Sequence, residues 1–207
     1  MKRSSGRAAV WALALGACGT TGTEAPSPSP VAAVQQPAAP ADTARRRSDA
    51  DVRFMQHMMA HHAQARVMTA LVPQRSTRPE IRLIAERIDV SQDDEMRQMR
   101  SWLRRHDVEM PATDAHAAHG EHASMPGMLT EAELARLAAA RGAEFDRLFL
   151  EYMIRHHEGA VTMVAQLFAT PGAAQTSEMY GFATDVNADQ LAEIARMRAL
   201  LSTISRG

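Results

Sequence analysis

An eighteen-residue frame occurs twice in this chain, and the repeat limits what the chain can fold into. Asp51, Phe54, Met58, His61, His62, Ala65 and Met68 of the first copy return as Asp146, Phe149, Met153, His156, His157, Ala160 and Met163, 95 positions later. Steps of three, four and seven are helical steps. With Met58 at the centre of a wheel of 100° per residue, Asp51, Phe54, Met55, His61, His62, Ala65, Thr69 and Val72 fall within about 60° of it. The paired histidines share a face with Phe54 and Phe149, so they are predicted to point inward.

The segments after each copy also resemble one another. Gln92, Glu95 and Met99 match Gln190, Glu193 and Met197, with Met96 standing where the second segment has Ile194. The offset here is 98, so the second hairpin turn is about three residues longer. The first helix is expected to have Ser48 or Asp49 as its N-cap and Pro73 as its stop. The second begins near Pro79, a favoured first-turn position, and ends near His106. Thr130 and Glu133 form a capping box for a short helix. Gly142 separates it from a third long helix over 143–169, which Pro171 and Gly172 break, and a fourth starts near Ser177. No strand pattern is present. Two αα-hairpins joined by a long crossover predict an all-α, ferritin-like four-helix bundle.

The antiparallel register sets Gln92 and Gln190 level with the histidine pairs. Glu95 and Glu193 are expected one turn further on, near Met58 and Met153. The core is thus expected to hold a layer of His, Gln and Glu flanked by Met58, Met68, Met96, Met99, Met153, Met163 and Met197. Imidazole and thioether together are the donors of soft and borderline transition metals. The same side chains also admit a plainer reading, as a hydrogen-bonded layer in a core filled by methionine. The connector over 107–129 carries His116, His119, His122, Met125 and Met128 at every third position, with Gly120, Pro126 and Gly127 against a regular helix. It is expected to be a mobile metal-capturing tract, since His-rich tracts are metal signals and the mixture with Met favours Cu(I) or Ag(I) over Zn(II). His57, His106, Met55, Met59 and Met110 are weaker candidates.

Lys2, Arg3 and Arg7 precede a short apolar run ending Leu15-Gly16-Ala17-Cys18. That is a secretory signal pattern, too short for a membrane span. Its end has the form of a lipobox, with Cys18, the only cysteine, as the lipidated residue. An ordinary signal peptide with an incidental Cys is the alternative. The domain plan is therefore a signal segment over 1–18, a Pro/Ala/Thr-rich tether over 19–48 and a bundle over 49–207. The bundle divides into a first hairpin (49–106), the connector (107–129) and a short helix with the second hairpin (130–207). A formal net charge of -1 offers no basic field for nucleic acid. With no thiol beyond Cys18, any metal site must use His, Met, Asp or Glu.

The run Phe149-Leu-Glu-Tyr-Met153-Ile-Arg-His156-His157-Glu-Gly159-Ala160, preceded by Met125-Pro-Gly-Met128-Leu-Thr, resembles domain-of-unknown-function family 305 over about residues 49–204. The resemblance implies a ferritin-like fold in a bacterial protein that is secreted or membrane-anchored at the envelope. By likeness to the family's CopM-like members it implies Cu(I) and Ag(I) binding, carried by Met58, His61, His62, Met153, His156, His157 and the connector. The first copy departs from the pattern: Gln64 stands where the second has Gly159. The lead expectation is a non-enzymatic protein that sequesters, buffers or passes copper to a transfer partner, anchored to the membrane through Cys18. Gln92, Glu95, Gln190 and Glu193 would form a polar shell behind the ligands. A ferritin-like di-metal redox enzyme is a second class; it would want Glu-x-x-His on two helices, where this chain has Gln-x-x-Glu. A structural or partner-binding lipoprotein with an inert polar core is a third.

Overall fold

The computed structural model of the protein describes residues 47–111 and 125–206. Among the described residues there are six helices and no strand: α1 Asp49–Thr69, α2 Val72–Arg75, α3 Pro79–Arg105, α4 Glu131–Ala139, α5 Gly142–Ala169 and α6 Ser177–Ile204. The expected signal segment with Cys18, most of the expected tether and His116, His119 and His122 lie outside the described residues.

Local chemistry sets the helix ends. The Ser48 hydroxyl accepts the Asp51 N–H at 3.0 Å, and Asp51 in return accepts the Ser48 N–H at 2.9 Å, so two otherwise unpaired donors of the first turn are satisfied. Ser48 therefore belongs to the domain rather than to the tether. Thr130 and Glu133 make the same reciprocal cap at α4. The Thr176 hydroxyl accepts from Met179 N–H and caps α6, which begins at Ser177 as expected. Pro73 does not end α1: the helix stops at Thr69, and the proline sits in the first turn of α2, where its missing N–H costs nothing.

Two apolar clusters define the topology. One joins the early part of α1 (Phe54, Met58), the late part of α3 (Met99, Trp102), the late part of α5 (Met163, Leu167) and the early part of α6 (Met179, Phe182). The other joins the late part of α1 (Ala65, Met68), the early part of α3 (Ile81, Ile88), the early part of α5 (Phe145, Phe149) and the late part of α6 (Ile194, Met197). Hence α1 and α6 run one way, and α3 and α5 run the other. Because α3 and α5 are parallel, the crossover must travel the length of the bundle. It does so: Met125 packs in the first cluster, and Leu129 and Leu137 in the second. The bundle fold is ferritin-like.

Both copies of the shared Asp tie one hairpin to the other. Asp51 Oδ1 accepts the backbone N–H of Ala174 in the α5–α6 turn at 2.7 Å. Asp146 Oδ2 accepts Arg78 Nε, just before α3, at 3.4 Å. Both carboxylates are buried, where hydrogen bonds to a charged group contribute about 1.5–3 kcal/mol each. No described helix is long and apolar enough to cross a membrane.

Candidate metal centre

The residues between the two apolar clusters form the polar layer: His61 and His62 on α1, Gln92 and Glu95 on α3, His156 and His157 on α5, Gln190 and Glu193 on α6. All four imidazoles are fully buried. His61 and His156 lie ring to ring across the bundle, with centroids 3.7 Å apart and planes at 33°. His62 Nε2 donates to Glu95 Oε2, and His157 Nε2 donates to Glu193 Oε2 at 2.7 Å. The Ser91 hydroxyl donates to the other oxygen of Glu193 at 2.8 Å.

These pairings correct the expected register in one respect. Glu95 and Glu193, not Gln92 and Gln190, meet the histidines. Side chains on a helix lean toward its N-terminus. In an antiparallel pair the His and the Glu therefore lean toward each other and close the one-turn gap between their Cα levels.

The crossover completes the layer. His61 Nε2 donates to the carbonyl of Pro126 at 3.0 Å. The chain reaches that point because Pro126-Gly127 lies directly on the α5 backbone. Gly127 has φ +78, and a Cβ added there would meet Arg155 O at 2.6 Å. A Cβ on Gly159 would meet Pro126 O at 2.0 Å. At the matching position of α1, the Gln64 side chain clamps the crossover instead: its amide nitrogen donates to Leu129 O at 3.0 Å and its oxygen accepts Leu129 N–H at 2.8 Å. The Gln64/Gly159 difference between the copies is thus the difference between a side-chain clamp and a backbone crossing.

A carboxylate or carbonyl on Nε2 fixes the ring orientation and, in a neutral imidazole, leaves Nδ1 as a bare lone pair. Among the described residues the Nδ1 atoms of all four histidines have no hydrogen-bond partner, nor does Nε2 of His156. Burial, then the neighbouring His62, hold the His61 pKa down to about 3 against an ordinary 6.5. Burial, then His61 and the other histidines, lower His156 well below that value too. Four imidazoles at one buried level are an expensive choice, since each unsatisfied buried group costs about 1–3 kcal/mol.

The depressed His61 pKa has a consequence for folding. The unfolded chain takes up this proton from 6.5 downward and the folded chain only near 3. The stabilisation from a neutral His61 is whole above 6.5 and erodes as pH falls through that window. At about pH 5 the loss is on the order of 2 kcal/mol. Urea unfolding across pH 7 to 5 measures it, and a flat midpoint refutes it.

The methionines divide about the layer. Met58, Met96, Met99 and Met163 belong to one cluster, and Met68, Met153 and Met197 to the other, all buried. Met125 is a buried core side chain and Met128 a half-buried one packed against the same cluster, so these two are not part of a free tract as expected. Their place follows from Gly127, which presses this stretch onto α5. Of the weaker candidates, Met55 and Met59 are core, Met110 is half-buried, His57 lines a surface cleft with Arg53 and Met163, and His106 ends α3 with its ring 4.3 Å from Trp102. Among the described residues no three His, Asp or Glu are grouped to hold an ion by themselves. The Pro126 carbonyl, Ser91 and the Gln64 clamp were not read as site residues; only the Pro126-Gly127 and Gly159 signals in the sequence pointed near them.

A family described as Domain of unknown function (DUF305) matches residues 51–201. No curated protein matches the chain. A DUF305 fragment from Deinococcus radiodurans is similar in structure at TM-score 0.66 and 34% identity, covering 76% of this chain and 98% of that one. A putative secreted DUF305 protein from Streptomyces coelicolor follows at TM-score 0.65 and 27% identity, over 75% and 94%. CopM in its Cu(I)-bound form is similar at TM-score 0.58 and 28% identity, over 74% and 96%.

Proposed function

The chain belongs to the DUF305 family, and on that premise we propose that it binds Cu(I), with Ag(I) as a mimic, outside the cytoplasm. It holds, buffers or hands on the ion and turns over no substrate. One observation carries the reading: four buried imidazoles with unpartnered Nδ1 atoms at one level, between two groups of buried thioethers. Soft sulfur with borderline nitrogen is a donor set suited to a monovalent d¹⁰ ion. The likeness to Cu(I)-bound CopM supports the metal, and the likeness to a secreted family member supports export.

In this reading His61, His62, His156 and His157 supply nitrogen, and Met58, Met96, Met99, Met153 and Met163 supply sulfur from either side. Met68 and Met197 lie further along the core. Glu95, Glu193 and the Pro126 carbonyl hold three of the rings by Nε2 and so select Nδ1 as the donor atom. His116, His119 and His122 capture the ion before it enters, with Met125 and Met128 linking that tract to the core. Cys18 carries a lipid anchor, and a copper-transfer protein receives the ion.

Anaerobic Cu(I) titration of the full-length protein against a chromophoric chelator tests the reading. Cu(I) is expected to bind in preference to Zn(II), and at about a hundredfold over its Kd to raise stability by about 2.7 kcal/mol. A melt that neither Cu(I) nor Ag(I) moves ends the proposal. The H116A/H119A/H122A variant should load more slowly to the same final content; unchanged loading removes capture from the mechanism.

A further inference from the structure

The seam between α3 and α6 gathers oxygen donors that copper leaves unused. Gln92 and Glu95 on α3 and Gln190 and Glu193 on α6 stand at one level, where the Ser91–Glu193 hydrogen bond of 2.8 Å joins the two helices. These four residues are 1–6% exposed. Among the described residues both polar atoms of each amide, and Oε1 of Glu95, have no hydrogen-bond partner. An apolar pair would pack here without that penalty. Among the described residues the side chains hydrogen-bonded to the two glutamates are His62, His157 and Ser91, none of them a permanent cation.

The carboxylate stripe continues to the surface. Asp185, Asp189 and Glu193 succeed one another at four-residue steps along α6, the first two exposed. The field at the seam is therefore negative and draws cations inward.

We propose that this seam is a second cation site, for a divalent first-row ion of the Mn(II) type, held by the Glu95 and Glu193 carboxylates and the Gln92 and Gln190 amide oxygens, with Asp189 on the approach. Oxygen donors of this kind favour hard divalent ions and reject Cu(I), so the site differs from the sulfur and imidazole set in both donors and cargo. Each carboxylate keeps one oxygen on an imidazole and has lone pairs remaining on the other. Among the described residues carboxylates and imidazoles alone do not gather in threes, and the two amide oxygens supply the missing donors.

The probe is Mn(II), added to full-length protein already saturated with Ag(I) and followed by loss of the free-ion electron paramagnetic resonance signal. The protein should take up about one Mn(II) per chain. Q92L/Q190L should bind it at least about tenfold more weakly and melt no lower than the parent without metal. Asp189→Asn, an exposed change, should weaken Mn(II) several-fold without altering the melt. No uptake by the parent protein, or equal uptake by Q92L/Q190L, overturns the site. Failure of Ag(I) binding alone would strike the copper reading and leave this one standing.

Discussion

Gly159→Ala is expected to destabilise the protein by about 3 kcal/mol or more, although it adds one methyl group to a helix that alanine otherwise favours. The new Cβ would lie 2.0 Å from the Pro126 carbonyl oxygen and 2.7 Å from Gly127 Cα. Both are backbone atoms, and no rotamer relieves the overlap. The crossover must lift from α5, and lifting it withdraws the carbonyl that holds His61 and strains the Gln64–Leu129 clamp. Two other glycines calibrate the result. Gly181 lies within α6 with nothing near its Cβ position, so Gly181→Ala should stabilise by up to about 1 kcal/mol. Gly172 also has open space but sits at φ +80, so alanine there should cost only the left-handed strain of about 1–2 kcal/mol. Chemical denaturation of the three variants measures the order. If Gly159→Ala is as mild as Gly172→Ala, the crossing is not tight.

The second large effect is on copper. The H61L/H156L double variant should lose more than about a hundredfold in Cu(I) affinity, beyond what removing an orienting partner costs. This pair is the informative one because neither ring is bound to a carboxylate. Changing His62 or His157 instead would strand Glu95 or Glu193 in the core, and a buried charge without its partner costs about 3–5 kcal/mol. H61L/H156L removes three unpartnered nitrogens and leaves only the Pro126 carbonyl short of a donor. The metal-free variant should therefore be more stable by about 1 kcal/mol or more, and the acid sensitivity assigned to His61 should vanish with the ring. Cu(I) competition and urea unfolding on the same sample read both quantities. Higher stability with copper affinity intact would make the imidazoles a costly filler and nothing else.

The helices were legible because local chemistry decides them. Ser48, Pro79, Thr130, Gly142 and Gly172 act within a turn of their own position, and the bounds fall within a residue or two of expectation except at the end of α1, which stops at Thr69 rather than at Pro73. The histidine layer was legible because both copies place it on the face of a phenylalanine. What escaped depends on the path of another segment or on the lean of a side chain. Nothing near Gln64 in sequence announces Leu129, and nothing near Gly159 announces Pro126. The exchange of Gln for Glu as the histidine partner follows from the direction of the Cα–Cβ bond, which a count of residues along a helix axis leaves out. Met125 looked like a ligand on a loose tract because periodicity cannot show that Gly127 folds that tract into the core.

The polar level also settles how the four rods align end to end. A bundle filled throughout with leucine and methionine can slide by a turn, about 5.4 Å, and still present grease to grease. Here such a slip would set Glu95 against thioethers and His62 against alkyl chains, with neither proton nor lone pair matched. The band works as a vernier mark across α1, α3, α5 and α6, and only one setting of the scale closes both His–Glu contacts together.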